Sequence, residues 1–472
     1  MVVGAQATEV DTVVIGSGPG GYVAAIRAAE LGQKVTIIEK DKMGGVCLNI
    51  GCIPSKALIN VGHHYNESKQ EEEGQSPFGL STKGVTLDWA AAQKWKQEKV
   101  VNVLTGGVSA LMKRHKIDVI KGTAEFVDNQ TINVEQTDGH QLLQFNNCII
   151  ATGSRPIEIP PFPFGGRILD STGALGLTEI PKHLLIVGGG VIGSELGGAY
   201  RLLGSKITIV EGLDHILNGF DKEMSDIIFK RVKNAGSDIH TSAKAVSAVQ
   251  TDKDVTLTFE AEGKEQTVTG DYLLIAIGRR PNTDNIGLNN TDIKLGEKGL
   301  IEVDDTFKTS VDHIYAIGDI VPGPMLAHKA SYQGKIAAGA ISGEANAVDM
   351  HLAMPAVAYT STELATVGVT PDDVKGRTDV KISKFPFAAN GRALSMDEAE
   401  GFIRMITETK EGAVIGAQIA GPGASDLISD FSLAIENGLT AKDLSMTIQP
   451  HPTLGEAITD TAELADGMPI NI

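Results

Sequence analysis

Apolar and polar positions fall into blocks whose lengths suit the strands and helices of an α/β protein. Residues 11–15 (Asp-Thr-Val-Val-Ile) predict a short buried strand, which runs into Gly16-Ser17-Gly18-Pro19-Gly20-Gly21. A helical stretch follows as far as Leu31 and stops at Gly32. A second apolar strand, Lys34 to Ile38, then finishes on Glu39. The same order returns farther along. Leu184 to Val187 predicts a strand, Gly188-Gly189-Gly190-Val191-Ile192-Gly193 a turn, and Lys206 to Val210 the next strand, ending on Glu211. Strand, Gly-x-Gly-x-x-Gly, helix, strand and acid in that order are the fingerprint of a dinucleotide-binding unit. Gly16 and Gly188 permit the tight turn. Gly18 and Gly190 let backbone amides reach a pyrophosphate, and Gly21 and Gly193 let helix pack on strand. Glu39 lies 23 residues after Gly16, and Glu211 lies 23 after Gly188. A single fingerprint is a weak signal; two copies with matched acids are a strong one.

A second repeat accompanies the first. Ile149-Ile150-Ala151-Thr152-Gly153-Ser154-Arg155-Pro156 is similar to Leu274-Ile275-Ala276-Ile277-Gly278-Arg279-Arg280-Pro281. Each is a buried strand breaking into a Gly/Arg/Pro turn, and each closes one nucleotide unit. Ile314 to Asp319 is another buried strand ending on an acid. At the C-terminal end of a strand, Asp319 either reaches a cofactor's hydroxyl groups or caps the following turn. Residues 65–84 are polar and read as a surface loop. Residues 86–114 read as a helix interrupted near Gly106-Gly107, with Trp89 and Trp95 packed. From about residue 351, strands (Met354 to Tyr359, Phe402 to Ile406, Val414 to Ile419) alternate with helices and no glycine fingerprint appears. The fold class is therefore α/β: two Rossmann-like dinucleotide-binding domains and an α+β C-terminal domain.

Composition narrows the function. A chain of 472 residues, 42% hydrophobic and 21% charged, divides into two to four domains. A net charge of −18 with no basic stretch argues against a nucleic-acid role. The acidity serves solubility or offers a surface to a basic partner. Three cysteines do not make a secreted disulfide framework, so a reducing, cytoplasmic setting is expected. Met1 to Val10 shows no leader pattern, and no apolar run looks long enough to cross a membrane.

The chemistry concentrates in Gly44-Gly45-Val46-Cys47-Leu48-Asn49-Ile50-Gly51-Cys52-Ile53-Pro54-Ser55-Lys56, just after Glu39. A thiol pair placed beside a bound nucleotide suggests electrons passing between that cofactor and a disulfide. On an ideal helix residues five apart have Cα atoms roughly 8.6 Å apart. A disulfide wants about 4.4–6.8 Å. A Cys47–Cys52 bridge therefore needs a distorted turn, which Gly51 can supply. Pro54 suits a helical first turn, and a nearby helix N-terminus would lower a thiol pKa. Two unrelated thiols or a zinc site are the alternatives, but no companion Cys/His pair is evident for zinc. Lys56 falls one helical turn after Cys52, beside the same cofactor. Glu195, just past the second fingerprint, is its candidate counter-ion. Near the C-terminus, Pro450-His451-Pro452-Thr453-Leu454-Gly455-Glu456 holds an imidazole between prolines with a carboxylate five residues on. A carboxylate on Nδ1 would set the tautomer and raise the basicity that thiol–disulfide exchange needs. Taken alone, a histidine in a loop is as readily structural.

Together these stretches resemble the pyridine nucleotide–disulfide oxidoreductase family from Asp11 to Glu456. The most specific segments are Gly44 to Lys56, Ala327-His328-Lys329-Ala330, Phe385 to Ala393, and His451 to Glu456. The resemblance implies tight, non-covalent FAD on the first fingerprint and NAD on the second. It sets Gly16, Gly18, Gly21, Glu39, Lys40, Gly45, Val46, Lys56, Gly153, Asp319 and Ala327 around the flavin nucleotide, with Ala124 near its adenosine part. It sets Gly188, Gly190, Val191, Ile192, Gly193, Glu211 and Gly278 around the nicotinamide nucleotide. It implies an FAD domain of residues 1–155 and 285–350, an NAD domain of 156–284, and an interface domain of 351–472. It further implies a homodimer in which His451 and Glu456 of one subunit serve the disulfide of the other.

The branch most resembled oxidises dihydrolipoyl groups with NAD⁺. It works on the lipoyl domains and E2 core of 2-oxo acid dehydrogenase complexes or on the glycine cleavage H protein. Glu211 would repel a 2′-phosphate, which favours NAD over NADP, and Arg201 does not replace it. Rival readings are a reductase of glutathione, a related thiol or mercuric ion, a single-cysteine peroxide or oxygen reductase, and a docking subunit without catalysis. The paired cysteines with His451 and Glu456 speak against the last two. Gln449-Pro450 and Ser361-Thr362 depart from the pattern, where His-Ala and Asp-Pro are frequent. Neither departure removes a candidate catalytic group.

Overall fold

The computed structural model describes residues 7–472. Residues 1–6, part of the N-terminal stretch read for a leader, lie outside the described residues. The chain forms two compact units.

One unit takes in the chain up to Ala57, Ala90–Ile157 and Gly278–Met350. It is built on a seven-stranded sheet. Strand β1 (Thr8–Ile15) lies at its centre, paired parallel with β2 (Val35–Glu39) on one side and with Gly139–Ile150 on the other. Ile314–Ala316 joins Gly139–Ile150, also parallel. Thr131–Gln136 and Thr123–Phe126 extend the sheet antiparallel. Strand side chains alternate between faces. Val13 and Ile15 accordingly enter one core with Ile38 and Ile150, and Val14 enters another with Ile37, Ile149 and Ala24. Burial on both faces is why these strands read as continuous apolar runs. Helix α1 (Pro19–Glu30) begins at the glycine turn.

The other unit takes in Leu58–Trp89, Glu158–Ile277 and His351–Ile472. It holds a five-stranded parallel sheet ordered Asp238–His240, Lys206–Val210, His183–Val187, Tyr272–Ile275, Ile168–Leu169. A three-stranded antiparallel sheet spans residues 244–270. The C-terminal sheet is antiparallel throughout, ordered Ala356–Ala358, Leu364–Gly368, Val414–Ala420, Phe402–Glu408, Val380–Pro386. Its core includes Phe385, Phe387, Ile403, Ile419 and Phe431. Arg404, 7% exposed, binds Gln418, Asp221 and Glu223 within the same unit.

Three local expectations give way. Helix α3 (Cys52–Glu72) continues through residues 65–72, which the sequence reading assigned to a loop. Polar residues on an exposed helix face look like loop in sequence, and here Lys69 pairs with Glu72 one turn on. The segment 86–114 is not broken at its glycines. Asn102–Arg114 runs straight through Gly106-Gly107, and the irregularity is a π-helical stretch at Lys96–Val101. Trp89 is buried and donates its indole N–H to the Leu177 carbonyl at 2.9 Å, whereas Trp95 is exposed. Finally, Gly45–Glu72 is long and apolar enough by composition to cross a membrane. It is broken at Gly51, however, and carries Lys56, Glu67, Lys69, Glu71 and Glu72.

Candidate active site and cofactor cradles

Both glycine turns are built from the same contacts. Gly16 has φ +97° and Gly188 +101°. A Cβ on either would lie 2.4 Å from a carbonyl oxygen, that of Ala151 or Ala276. A Cβ on Gly21 or Gly193 would strike the carbonyl of Gly16 or Gly188 at 1.9 or 2.0 Å. A Cβ on Gly18 or Gly190 would meet nothing within 4 Å among the described residues. The backbone there is open, as a pyrophosphate at a helix N-terminus requires.

The two acids are held alike. Glu39 accepts the Ser17 N–H (2.8 Å), the Ser17 hydroxyl (2.6 Å) and the Asp41 N–H (2.8 Å). Glu211 accepts the N–H groups of Gly189 (2.5 Å) and Leu213 (2.8 Å). Each carboxylate is thus pinned at the end of its second strand.

The cysteine segment grows directly out of the first turn. Gly44 (φ +92°) donates its N–H to the Ser17 carbonyl at 3.0 Å. Gly45 (φ +59°) lies so close that a Cβ would sit 2.6 Å from the Gly18 Cα. Helix α2 (Gly45–Ile50) starts there, and its Asn49 side chain donates to the carbonyls of Met43 and Gly45. The helix ends at Gly51, whose φ −139° and ψ −116° break the spiral before α3 begins at Cys52. A Cβ on Gly51 would be 3.0 Å from the Val46 carbonyl oxygen. The break answers the geometric problem of a five-residue spacing. Cys47 and Cys52 are present as thiols with their side chains in hydrogen-bond contact.

That hydrogen bond, reinforced by burial, pushes the Cys47 thiol well above its ordinary range, while the Lys56 ammonium acts in the opposite direction. Cys47 is half-buried and Cys52 exposed. Burial and the neighbouring Cys47 raise the pKa of Tyr22 on α1. Cys148 is fully buried and its thiol is pushed up by that burial, so it stays protonated and inert.

The other residues named from sequence are placed as follows. Lys56 lies on the first turns of α3, half-buried. Glu195 is 5% exposed on the helix Val191–Leu202 and accepts the Tyr359 N–H at 2.9 Å. Lys40 and Val46 are exposed. Ala124 is buried on the strand at the sheet's antiparallel edge. Gly153 (φ +69°) and Gly278 (φ +122°) form the two later turns. Ala327 opens the helix Ala327–Ile341, and Asp319 lies in the short turn Gly318–Ile320. His451 is 81% exposed, and its Nδ1 is 2.8 Å from Glu456 Oε1. Glu456, the first residue of the helix Glu456–Asp466, also accepts the Thr453 N–H at 2.8 Å. The Thr453 amide first, then His451, holds this carboxyl below the usual carboxylate range.

Residues 10–334 match the family described as pyridine nucleotide-disulphide oxidoreductase, and residues 354–462 match its dimerisation domain. The chain belongs to the pyridine nucleotide-disulphide oxidoreductase family. It is 54% identical to the dihydrolipoyl dehydrogenase of Geobacillus stearothermophilus, across 100% of this chain and 99% of that one. It is also 54% identical to the dihydrolipoyl dehydrogenase of Bacillus subtilis (strain 168), with 100% of both covered. Among solved structures it resembles LpdA from Mycobacterium tuberculosis, with a TM-score of 0.89, 29% identity and coverage of 96% and 99%.

Several residues around this oxidoreductase site escaped the sequence reading. Ser17 and Asn49 act through side-chain bonds to Glu39 and to the carbonyls of Met43 and Gly45. Ser154 and Arg279 meet only because the two late turns pair antiparallel, Pro281 against Ser154. At the departure Ser361-Thr362, the Thr362 hydroxyl accepts from Arg231 at 2.6 Å.

Proposed function

We propose that this chain oxidises protein-bound dihydrolipoyl groups to lipoyl groups while NAD⁺ becomes NADH. The single observation that carries this reading is the hydrogen-bonded Cys47–Cys52 pair on a segment packed against the Gly18 turn. Whole-chain identity to dihydrolipoyl dehydrogenases supports the choice of dithiol. The cofactors are FAD and NAD. In this reading FAD lies on residues 1–155 and 285–350, over the Gly16 turn, Glu39, Lys56, Asp319 and Ala327. NAD lies on 156–284, over the Gly188 turn, Glu211 and Gly278. When bound, FAD would supply the two-electron acceptor for the dithiol and the hydride donor for NAD⁺.

The chain's own residues supply the sulfur chemistry. In the oxidised protein Cys47 and Cys52 share a disulfide. His451, oriented by Glu456, removes a proton from the substrate dithiol. The substrate thiolate attacks the Cys47 sulfur, the Cys47–Cys52 bond breaks, and Cys52 leaves as a thiolate near Lys56. The second substrate thiol then attacks the first sulfur, closing the lipoyl ring and releasing Cys47, which takes up the proton that thiol gives up. The raised pKa of Cys47 suits this end state, since one proton stays on Cys47 while the neighbouring sulfur carries the charge. Exposed Cys52 presents the face that this reading gives to the flavin.

The dimerisation-domain match supports a homodimer. Leu394, Leu433, Met446 and Ile448 are exposed on that domain, Ile448 at 94%, and a second copy would cover such a surface. His451 would then serve the disulfide of the other subunit, and the chain would work with the lipoyl domains of 2-oxo acid dehydrogenase complexes or the glycine cleavage H protein. Purified holoenzyme given dihydrolipoamide should reduce NAD⁺ far faster than NADP⁺, and should not couple NADPH to oxidised glutathione. The opposite preference would overturn the reading.

A further inference from the structure

The two late turns occupy equivalent places in the internal repeat, yet differ at the residue after the glycine: Gly153-Ser154 in one, Gly278-Arg279 in the other. The structure brings these two differing residues together. Ser154–Pro156 and Arg279–Pro281 pair as a two-stranded antiparallel sheet. Arg279 Nε donates to the Ser154 hydroxyl at 2.8 Å, and a terminal guanidinium nitrogen donates to the Ser154 carbonyl at 2.6 Å. The Ser154 hydroxyl donates in turn to Asp319 Oδ2 at 2.6 Å. Ser154 is only 3% exposed.

The direction of this chain is forced. A guanidinium can only donate and an ionised carboxylate can only accept. The hydroxyl between them must spend its single proton on Asp319 and receive Arg279 on a lone pair. A cation behind the hydroxyl polarises it and strengthens its bond to the carboxylate. The backbone around Asp319 is fixed separately. The Gly318 N–H donates to Gln333 Oε1 at 2.8 Å, and the Gly318 carbonyl accepts Lys329 Nζ at 3.1 Å. What remains to be set at Asp319 is its side-chain direction, and the Ser154 hydroxyl sets it.

We propose that Ser154 and Arg279 are positioning residues that aim the Asp319 carboxylate at the hydroxyl groups of the flavin cofactor. This rests on the reading that places Asp319 at the flavin. Neither residue need touch a reacting atom. Arg279, in the second copy of the repeated turn, thereby lends a cation to the flavin anchor within the same compact unit.

The test uses FAD-loaded enzyme and the rate at which flavin fluorescence appears after dilution. Asp319→Asn establishes the anchor and should release FAD at least about tenfold faster than the parent. Ser154→Ala and Arg279→Met should each speed release about tenfold, which is about 1.4 kcal/mol of anchoring. Because both act along one chain, the double variant should release no faster than Ser154→Ala alone. Ser154→Thr, which keeps the hydroxyl, should stay close to the parent. If Asp319→Asn releases quickly while Ser154→Ala matches the parent, the relay is wrong though the anchor stands. If Asp319→Asn itself matches the parent, the flavin placement fails and the relay with it. Additive losses in the double variant, or Ser154→Thr behaving as Ser154→Ala, would also overturn the proposal, since packing rather than the hydroxyl would then be at work.

Discussion

In the first nucleotide unit Gly16 turns at φ +97° beneath the Ala151 carbonyl; in the second Gly188 turns at +101° beneath that of Ala276. Glu39 and Glu211 each accept the N–H that follows the first glycine. Even the returning chain repeats: Gly44 N–H reaches the Ser17 carbonyl, and Leu217 N–H reaches that of Gly189. The units part company there. In the first, the returning residues are Gly44 and Gly45, the latter close against Gly18, and they open the helix of Cys47. In the second, Ile216 packs over Gly189 and no thiol follows. In the proposed reading, nucleotide binding belongs to the shared turn, strand and acid, and redox chemistry to a short segment added to one copy.

If that division is right, the addition can be removed without the turn. Cys47→Ser should abolish dihydrolipoamide oxidation while flavin content and NADH-dependent dye reduction persist. His451→Gln should follow with a loss of roughly 10²- to 10⁴-fold, the usual worth of a positioned base, again with flavin retained. Comparable turnover in parent and variant would take His451 out of the chemistry.

The joint between turn and addition is sharper still. Gly45→Ala must place a methyl 2.6 Å from the Gly18 Cα at a positive φ. An overpacking cost of about 1–3 kcal/mol gives roughly 5- to 150-fold weaker FAD retention. Gly212→Ala, after the second acid, would set its methyl 4.0 Å from the Ala243 carbonyl oxygen and should be silent. Glu211→Ala strips the acceptor from two backbone amides and, in the proposed reading, from the ribose of NAD. NAD⁺ KM should rise about tenfold, from roughly 1–3 kcal/mol of lost bonding, with flavin content unchanged. Equal FAD losses in Gly45→Ala and Glu211→Ala would erase the distinction between the units.

The smallest effect is one of pH. The folded Glu456 carboxyl titrates below its unfolded value because the Thr453 amide and His451 favour its charged form. Its contribution is complete above about pH 4.3 and fades as pH falls through the lowered folded value. Thermal melts of the parent and Glu456→Gln should differ at neutral pH and converge in acid.

The fingerprints, their matched acids and the Cys47–Cys52 segment were legible because each depends on residues close in sequence. Even the break at Gly51 could be anticipated, since five-residue spacing and disulfide geometry are incompatible on a regular helix. Other features were not legible for identifiable reasons. Polar side chains on α3 hid its last two turns. Two glycines inside Asn102–Arg114 cost only about 1 kcal/mol each relative to alanine, too little to stop the helix. The meeting of Ser154, Arg279 and Asp319 joins positions over a hundred residues apart, and no local pattern announces a long-range pairing.

The most direct test is anaerobic titration of the FAD-loaded enzyme with dihydrolipoamide in the absence of NAD⁺. Two electrons should open the Cys47–Cys52 bond and leave a thiolate against oxidised flavin, seen as a new long-wavelength absorption band with two alkylatable thiols gained. An oxidised spectrum that stays unchanged under excess dithiol, with no thiols gained, would contradict electron entry through this pair.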